Sequence, residues 1–143
     1  MAEDWRSALF AAVRTALTVP PALWGIEIFP DDAPAGYPRP YVIYGIQGGG
    51  EQNLLKADDI RASVLVKAVS EDYQQAMSMA AEIRARLNNK GFQDVAVGYL
   101  YGGPNWDICT VTCTSGVMYT ENMNNRIQIR HVGDLYDVRM QAK

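Results

Sequence analysis

The chain of 143 residues carries a single histidine, His131, and two cysteines, Cys109 and Cys113. Nucleophilic catalysis of the Ser-His-Asp or Cys-His kind would have to run through His131, because a general base must stand within hydrogen-bond reach of its nucleophile. His131 falls in a strand-like run beside Arg130, and no spacing sets a serine or either cysteine against it. It reads as a structural histidine. Zinc sites need about four ligands, with cysteine pairs commonly held in tight turns. Here Cys109 and Cys113 sit in an alternating stretch, on one face and ~13 Å apart along an extended strand. That is too far for a disulfide, whose Cα atoms lie within ~7 Å of each other. The two read as core thiols, which fits a reducing compartment.

The remaining candidates are acids and glycines. Asp31-Asp32 and Asp58-Asp59 are paired carboxylates in loops, but no D-x-D-x-D-G loop with a terminal glutamate accompanies them, so a calcium site is not indicated. Nor does either pair have a partner to push its two pKa values apart for acid–base work. Gly48-Gly49-Gly50 is followed by no G-K-[ST] and opens no helix, so it lacks the features of a phosphate cradle and reads as a flexible stretch. Leu54 and Leu55 are different: two adjacent apolar residues in a polar, glycine-led loop. They either fold back on their own core or form an arm that docks on a neighbouring subunit. Trp106 and Met123, at two later turn signals, pose the same question.

The elements that position these residues can be read from period. Trp5, Leu9, Val13 and Leu17, with Ala8, Ala12 and Ala16 beside them, form one apolar stripe of a helix that Asp4 can cap and Val19-Pro20-Pro21 stops. Trp24–Phe29 predicts a short strand, and four prolines between residues 30 and 40 make a stiff connection. Tyr41–Ile46 is apolar on both faces and predicts a central strand. Gly48 to Asp59 reads as a loop, and Ile60–Val69 as a strand with one clean core face. Ser70 is the expected cap of a second helix, whose buried face would be Tyr73, Ala76, Met77, Ala80, Ile83 and Leu87, with Gly91 ending it. Period two then returns: Val95–Tyr101, Ile108–Ser115 and Val117–Thr120 as strands, a turn at Gly102–Asn105, another at Glu121–Asn125, and Arg126–Val132 with Leu135–Gln141 as one strand kinked near Gly133. Strands that flank a single central helix argue for a mainly antiparallel sheet with two amphipathic helices on one face, an α+β fold, over a doubly wound parallel one.

Composition narrows the function. The length fits one domain, 1–143, able to bury ~70% of its unfolded surface. Net charge is −3. Residues 1–59 hold four Lys/Arg and eight Asp/Glu, residues 60–143 nine and eight, so no basic face for phosphate neutralisation is supplied. No apolar run approaches the ~20 residues that cross a bilayer. Glu3 and Asp4 stand where a basic leader region would be, so no secretory signal is expected. No catalytic residue, cofactor site or metal site is indicated, and an enzyme is not expected.

Taken in order, these features resemble a known family. The helix with Trp5, Leu9 and Leu17 leads, through a short strand and a proline-rich approach, to Pro40-Tyr41-Val42-Ile43. A variable loop enters Ile60–Val69, which passes at once into Ser70-Glu71-Asp72-Tyr73 and the helix Gln74–Leu87, and late strands follow in Arg126–Met140. Over residues 5–140 this is similar to the tail completion, or tail terminator-like, proteins of long-tailed bacteriophages and related tail-derived particles. The resemblance implies a structural virion protein, assembled in the host cytoplasm, that forms a ring, a hexamer in the family. The ring sits at the head-proximal end of the tail tube, stops tube growth and meets a head–tail connector or stopper. DNA would pass through the lumen without specific binding, which suits a mildly acidic channel rather than one lined by Arg126, Arg130 and Lys67. Contacts with a neighbouring subunit or with tube protein are expected along Gln47–Asp59 (Gln47, Glu51, Leu54, Leu55, Lys56) and at Trp106 and Met123. Two alternatives stand beside this reading. One is another neck component, such as a head-completion or stopper protein. The other is a small α+β enzyme or ligand-binding domain with a pocket lined by Tyr99, Tyr101, Asp107 and His131.

Overall fold

In the computed structural model the described residues are 4–18, 26–51, 59–88, 105–123 and 127–142. Helix α1 spans Trp5–Thr18 and helix α2 Tyr73–Leu87. Five strands accompany them: β1 (Ile28–Pro30), β2 (Tyr41–Glu51), β3 (Asp59–Ser70), β4 (Trp106–Asn122) and β5 (Gln128–Ala142). The sheet order is β1-β2-β3-β5-β4, antiparallel except for the β1–β2 pair. The fold is thus α+β, with both helices on one face of a mostly antiparallel sheet.

The alternation of β3 explains this layering. Ile60, Ala62, Val64, Val66 and Ala68 are all buried, and they meet Met140, Val138, Tyr136, Asp134 and Val132 of β5 across an unbroken register. Onto that row fall Leu9, Val13 and Leu17 of α1 and Met79, Ile83 and Leu87 of α2. Each such side chain contributes roughly 1.5–3 kcal/mol by leaving water. The helix ends are tied in by side chains. Asp4 Oδ1 accepts from the Arg6 amide at 2.8 Å at the start of α1. Arg86 of α2 donates to the carbonyls of Leu17 and Ala16 at 3.1 and 3.4 Å, so it serves acceptors that α1 leaves without helical partners. Arg14 reaches the Ile28 carbonyl at 3.1 Å and holds α1 to β1.

Several sequence expectations are corrected. β1 begins at Ile28, later than the Trp24–Phe29 strand; residues 19–25 lie outside the described ones. Gly48, Gly49 and Gly50 are not a loop. They continue β2 opposite Ser63, Ala62 and Arg61. At Gly49, φ is +148° and a Cβ would stand 2.7 Å from the Arg61 carbonyl oxygen, so the glycine is needed for close strand approach. The cap of α2 is Asp72, accepting from the Gln74 amide, while Ser70 Oγ instead accepts from the Asp72 amide. Tyr73 and Met77 are exposed, and Met79 takes the buried place. The two strands expected after residue 108 are one 17-residue strand, β4. The expected Val95–Tyr101 strand and the Gly91 stop fall outside the described residues, as does most of the Gly102–Asn105 turn.

The kink near Gly133 is also absent. β5 keeps its register with both neighbours through that residue. Gly133 is required because a Cβ there would collide with the Val66 carbonyl oxygen and stand 2.5 Å from Lys67 Cα. Backbone of that kind cannot step aside without parting the central strands. Gly133→Ala is therefore expected to lower stability by about 1–3 kcal/mol in urea unfolding. Gly48→Ala, whose added methyl meets nothing within 4 Å, is expected to stay within about 0.5 kcal/mol. Equal effects at the two sites would show that the β3–β5 contact is not the constraint.

Candidate functional site

Among the described residues no helix covers the second face of the sheet. Its β3 and β5 rows carry Arg61, Leu65, Lys67, Leu135, Asp137 and Arg139, partly or fully exposed. Arg61 pairs with Asp137 and Arg139 with Asp59, each at 3.3 Å. These exposed pairs add little stability, but they leave the face electrically mixed. At one end the face closes over. Ile43, Val69 and Ile129 form a small buried cluster with Tyr41 beside it, and Phe29 and Tyr37 lay their rings edge-on to Tyr41 at 6.0 and 6.2 Å. The proline-rich connection that supplies Tyr37 is fastened by Arg39, which donates to Glu71 at 2.7 Å.

His131 lies on this face. Its ring stacks on Tyr119, centroids 4.3 Å apart, and Nε2 is 3.2 Å from Glu121 Oε1. Lys67 donates to the Tyr119 hydroxyl at 2.6 Å. His131 Nδ1 is buried and has no partner among the described residues. Burial lowers the imidazole below its ordinary 6.5; Glu121 pulls it back up, and Lys67 opposes. Among the described residues no serine or cysteine hydrogen-bonds to the ring. Asp107, also expected beside it in a pocket, pairs with Gln141, ten positions away along β5, ~33 Å in an extended strand. Tyr99 and Tyr101 lie outside the described residues.

The cysteines do not share a face. Register slips between Ile108 and Thr110, so Cys109 is an extra residue in the strand. Cys109 stands near Asp107, Arg139 and Asp59, on the uncovered side, whereas Cys113 faces Asp134, Arg84 and Tyr136 under α2. Both thiols are pushed up, first by burial and then by a neighbouring carboxylate, Asp107 for Cys109 and Asp134 for Cys113. A reactive thiol needs the reverse shift. Among the described residues no three His, Cys, Asp or Glu gather as a metal set.

The helix side has a groove of about 440 Å³ between α2 and the β4–β5 pair, walled by Met77, Ala80, Met118 and Val132, with Arg84 and Asp134 at one end. Asp134 is buried, and Arg84 neutralises it through contacts of 2.6 and 3.3 Å. Tyr73 stands next to Met118 of that wall. It donates to the Met118 sulfur and lies 5.2 Å under the Arg130 guanidinium. Tyr73, Met77 and Met118 are 38, 48 and 56% exposed and adjoin one another. Sequence reading missed this patch because the apolar stripe of α2 is wider than the sheet beneath it. Periodicity gives the width of a stripe but not where the cover ends.

Of the expected contact residues, Gln47 is exposed and is the extra residue of a second slip, between Ile46 and Gly48. Glu51 ends β2, while Leu54, Leu55 and Lys56 lie outside the described residues. Met123 is 45% exposed beyond β4. Trp106 is corrected: at 6% exposure it belongs to the main core with Ile108 and Val111, so it packs inward and presents no side chain to a partner.

A folded-state pKa that is lowered supplies stability above the unfolded value and loses it as pH falls through the folded value. NMR titration of the one imidazole is therefore expected to give a midpoint below 6.5, and Glu121→Gln to move it lower still. The melting temperature should fall as pH drops through that midpoint, and His131→Phe should remove that part of the fall. A midpoint above 6.5 would mean that the Glu121 contact outweighs burial.

The sequence matches no protein-family model and no curated protein. Among solved structures it is similar to a chain from the virion of a native gene transfer agent (GTA) particle, with a TM-score of 0.64 and 14% identity over 98% of this chain and 99% of that one. At that identity the likeness is one of fold, and it runs from end to end.

Proposed function

We propose that this chain is a structural protein of a phage-like virion, without catalytic activity. Its work is to form a ring at the head-proximal end of the tail tube and to join that tube to the head connector or stopper. The observation that carries this is the end-to-end fold likeness to a chain of a gene transfer agent virion. The sequence resemblance to tail completion proteins narrows the role from virion component to terminator. The chemistry is consistent: two thiols with raised pKa values, a histidine stacked on a tyrosine, and exposed apolar surface on an otherwise well-closed core. A net charge of −3 suits a channel that DNA passes through without sticking. The contacts would come from β2 and the residues after it (Gln47, Glu51, Leu54, Leu55, Lys56) and from Met123.

Disrupting the gene in the producing cell is expected to give tails of unregulated length and heads without tails, seen by electron microscopy, and both defects should be reversed by the gene in trans. Tails of normal length that fail to meet heads would assign the protein to another neck position. Intact, joined particles would overturn the proposal.

A further inference from the structure

The two margins of the sheet share an uncommon property. Among the described residues β4 is a 17-residue strand paired on one side, to β5, where strands average ~5–6 residues. From Ile108 to Thr120 it has no charged residue and no proline. Both of its slips come before Ser115, so Ser115–Asn122 is regular, and it is exposed apart from half-buried Val117. At the opposite margin β1 covers only Val42, Ile43 and Tyr44 of β2. The outer side of Gly45–Glu51 has no strand partner among the described residues, and Tyr41–Gly50 again has neither charge nor proline. Natural sheets blunt open edges with lysine, proline or bulges, because unpaired amides and carbonyls recruit other chains. In β4 the stretch from Ser115 carries no lysine, proline or bulge, and in β2 the one such feature is the single extra residue Gln47.

We propose that these two margins are made for each other: Ser115–Asn122 of one copy pairs with Gly45–Glu51 of a second copy. Direction permits it. β2, β3, β5 and β4 each run opposite to the next, so β2 and β4 run opposite ways, and copies laid side by side join as an antiparallel ladder. A two-fold pairing of β4 with β4 would leave the β2 margin bare in every copy, whereas head-to-tail pairing uses both. Side chains fit the same arrangement. Gly48 offers open space where a side chain would stand, and Tyr73, Met77 and Met118 border the β4 margin with exposed apolar surface to receive the neighbour. The partner is therefore a copy of this chain, joined by an interface that closes by rotation. This rests on the ring reading and names the surfaces that form it.

Two variants test it. Ser115→Lys with Met118→Lys blocks the β4 margin, and Gln47→Lys with Gly48→Lys blocks the β2 margin; all four sites are exposed, and circular dichroism checks that each variant folds. Light scattering, with and without tail tubes, gives the mass. The wild-type chain should assemble, each variant alone should stay monomeric, and an equimolar mixture should stop at a 1:1 dimer, since each variant keeps the margin the other lost. Variants that assemble like the wild-type chain, or a mixture that stays monomeric, would overturn the edge pairing while leaving the ring intact. A wild-type chain that stays monomeric under both conditions would overturn the ring reading itself.

Discussion

β3 and β5 face each other through twelve register pairs without a slip, from Asp59 with Gln141 to Ser70 with Arg130. That pairing permits both helices to rest on one continuous apolar surface, because any slip would turn half of the Ile60–Ala68 row away from them. It is possible only because position 133 has no side chain, which lets the Val66–Lys67 backbone come as close as it does. The slips that this sheet does contain lie in β2 and β4, one strand away from the centre on either side. Irregularity is thus exported to where it does not disturb the core.

Polar groups follow the same division. On the helix side, the buried Asp134 carboxylate is tolerated because Arg84 reaches it from α2. The Tyr136 hydroxyl beside it is buried with no partner among the described residues, and burial together with Asp134 pushes that phenol well up. On the uncovered side charges are paired in the open, and burial lowers the His131 imidazole below its ordinary value. Among the described residues neither side gathers a nucleophile with a base. The described surface exposes backbone at the sheet margins and a methionine–tyrosine patch on the helix side, features of the kind that association uses.

Much of the frame was legible because period and burial coincide. The α1 stripe at Leu9, Val13 and Leu17 and the β3 row at Ile60–Ala68 each have one face in water or at the helix boundary and one in the core. The errors cluster where a residue acts at a distance. Gly133 looked like a kink because its partner Val66 is remote in sequence. Gly48–Gly50 looked like a loop because composition does not say that Arg61–Ser63 lies alongside. Asp72 displaced Ser70 as cap because β3 runs one residue longer than its apolar pattern, so that Ser70 is still strand. Trp106 looked like a turn residue by its neighbours Pro104 and Asn105, yet it opens β4 and fills the core. Of the residues expected at contacts, Gln47 and Met123 stand in the open and Trp106 does not, while nothing in the α2 stripe told Met77 from Met79.

The two slips in β4 have a consequence for how this chain tolerates length changes. Before Cys109 the even-numbered residues, such as Ile108, turn toward the helices. Between the slips the odd ones do, Val111 and Cys113, and after Thr114 the even ones again, Gly116 and Met118. Parity is inverted and then restored. Losing either extra residue, Cys109 or Thr114, would straighten the strand there and leave every remaining pair with β5 and every side chain in its own layer, whereas a residue lost elsewhere would displace pairs that now hold. Relatives of this chain should therefore lose single residues from β4 more readily at positions 109 and 114 than elsewhere in the strand.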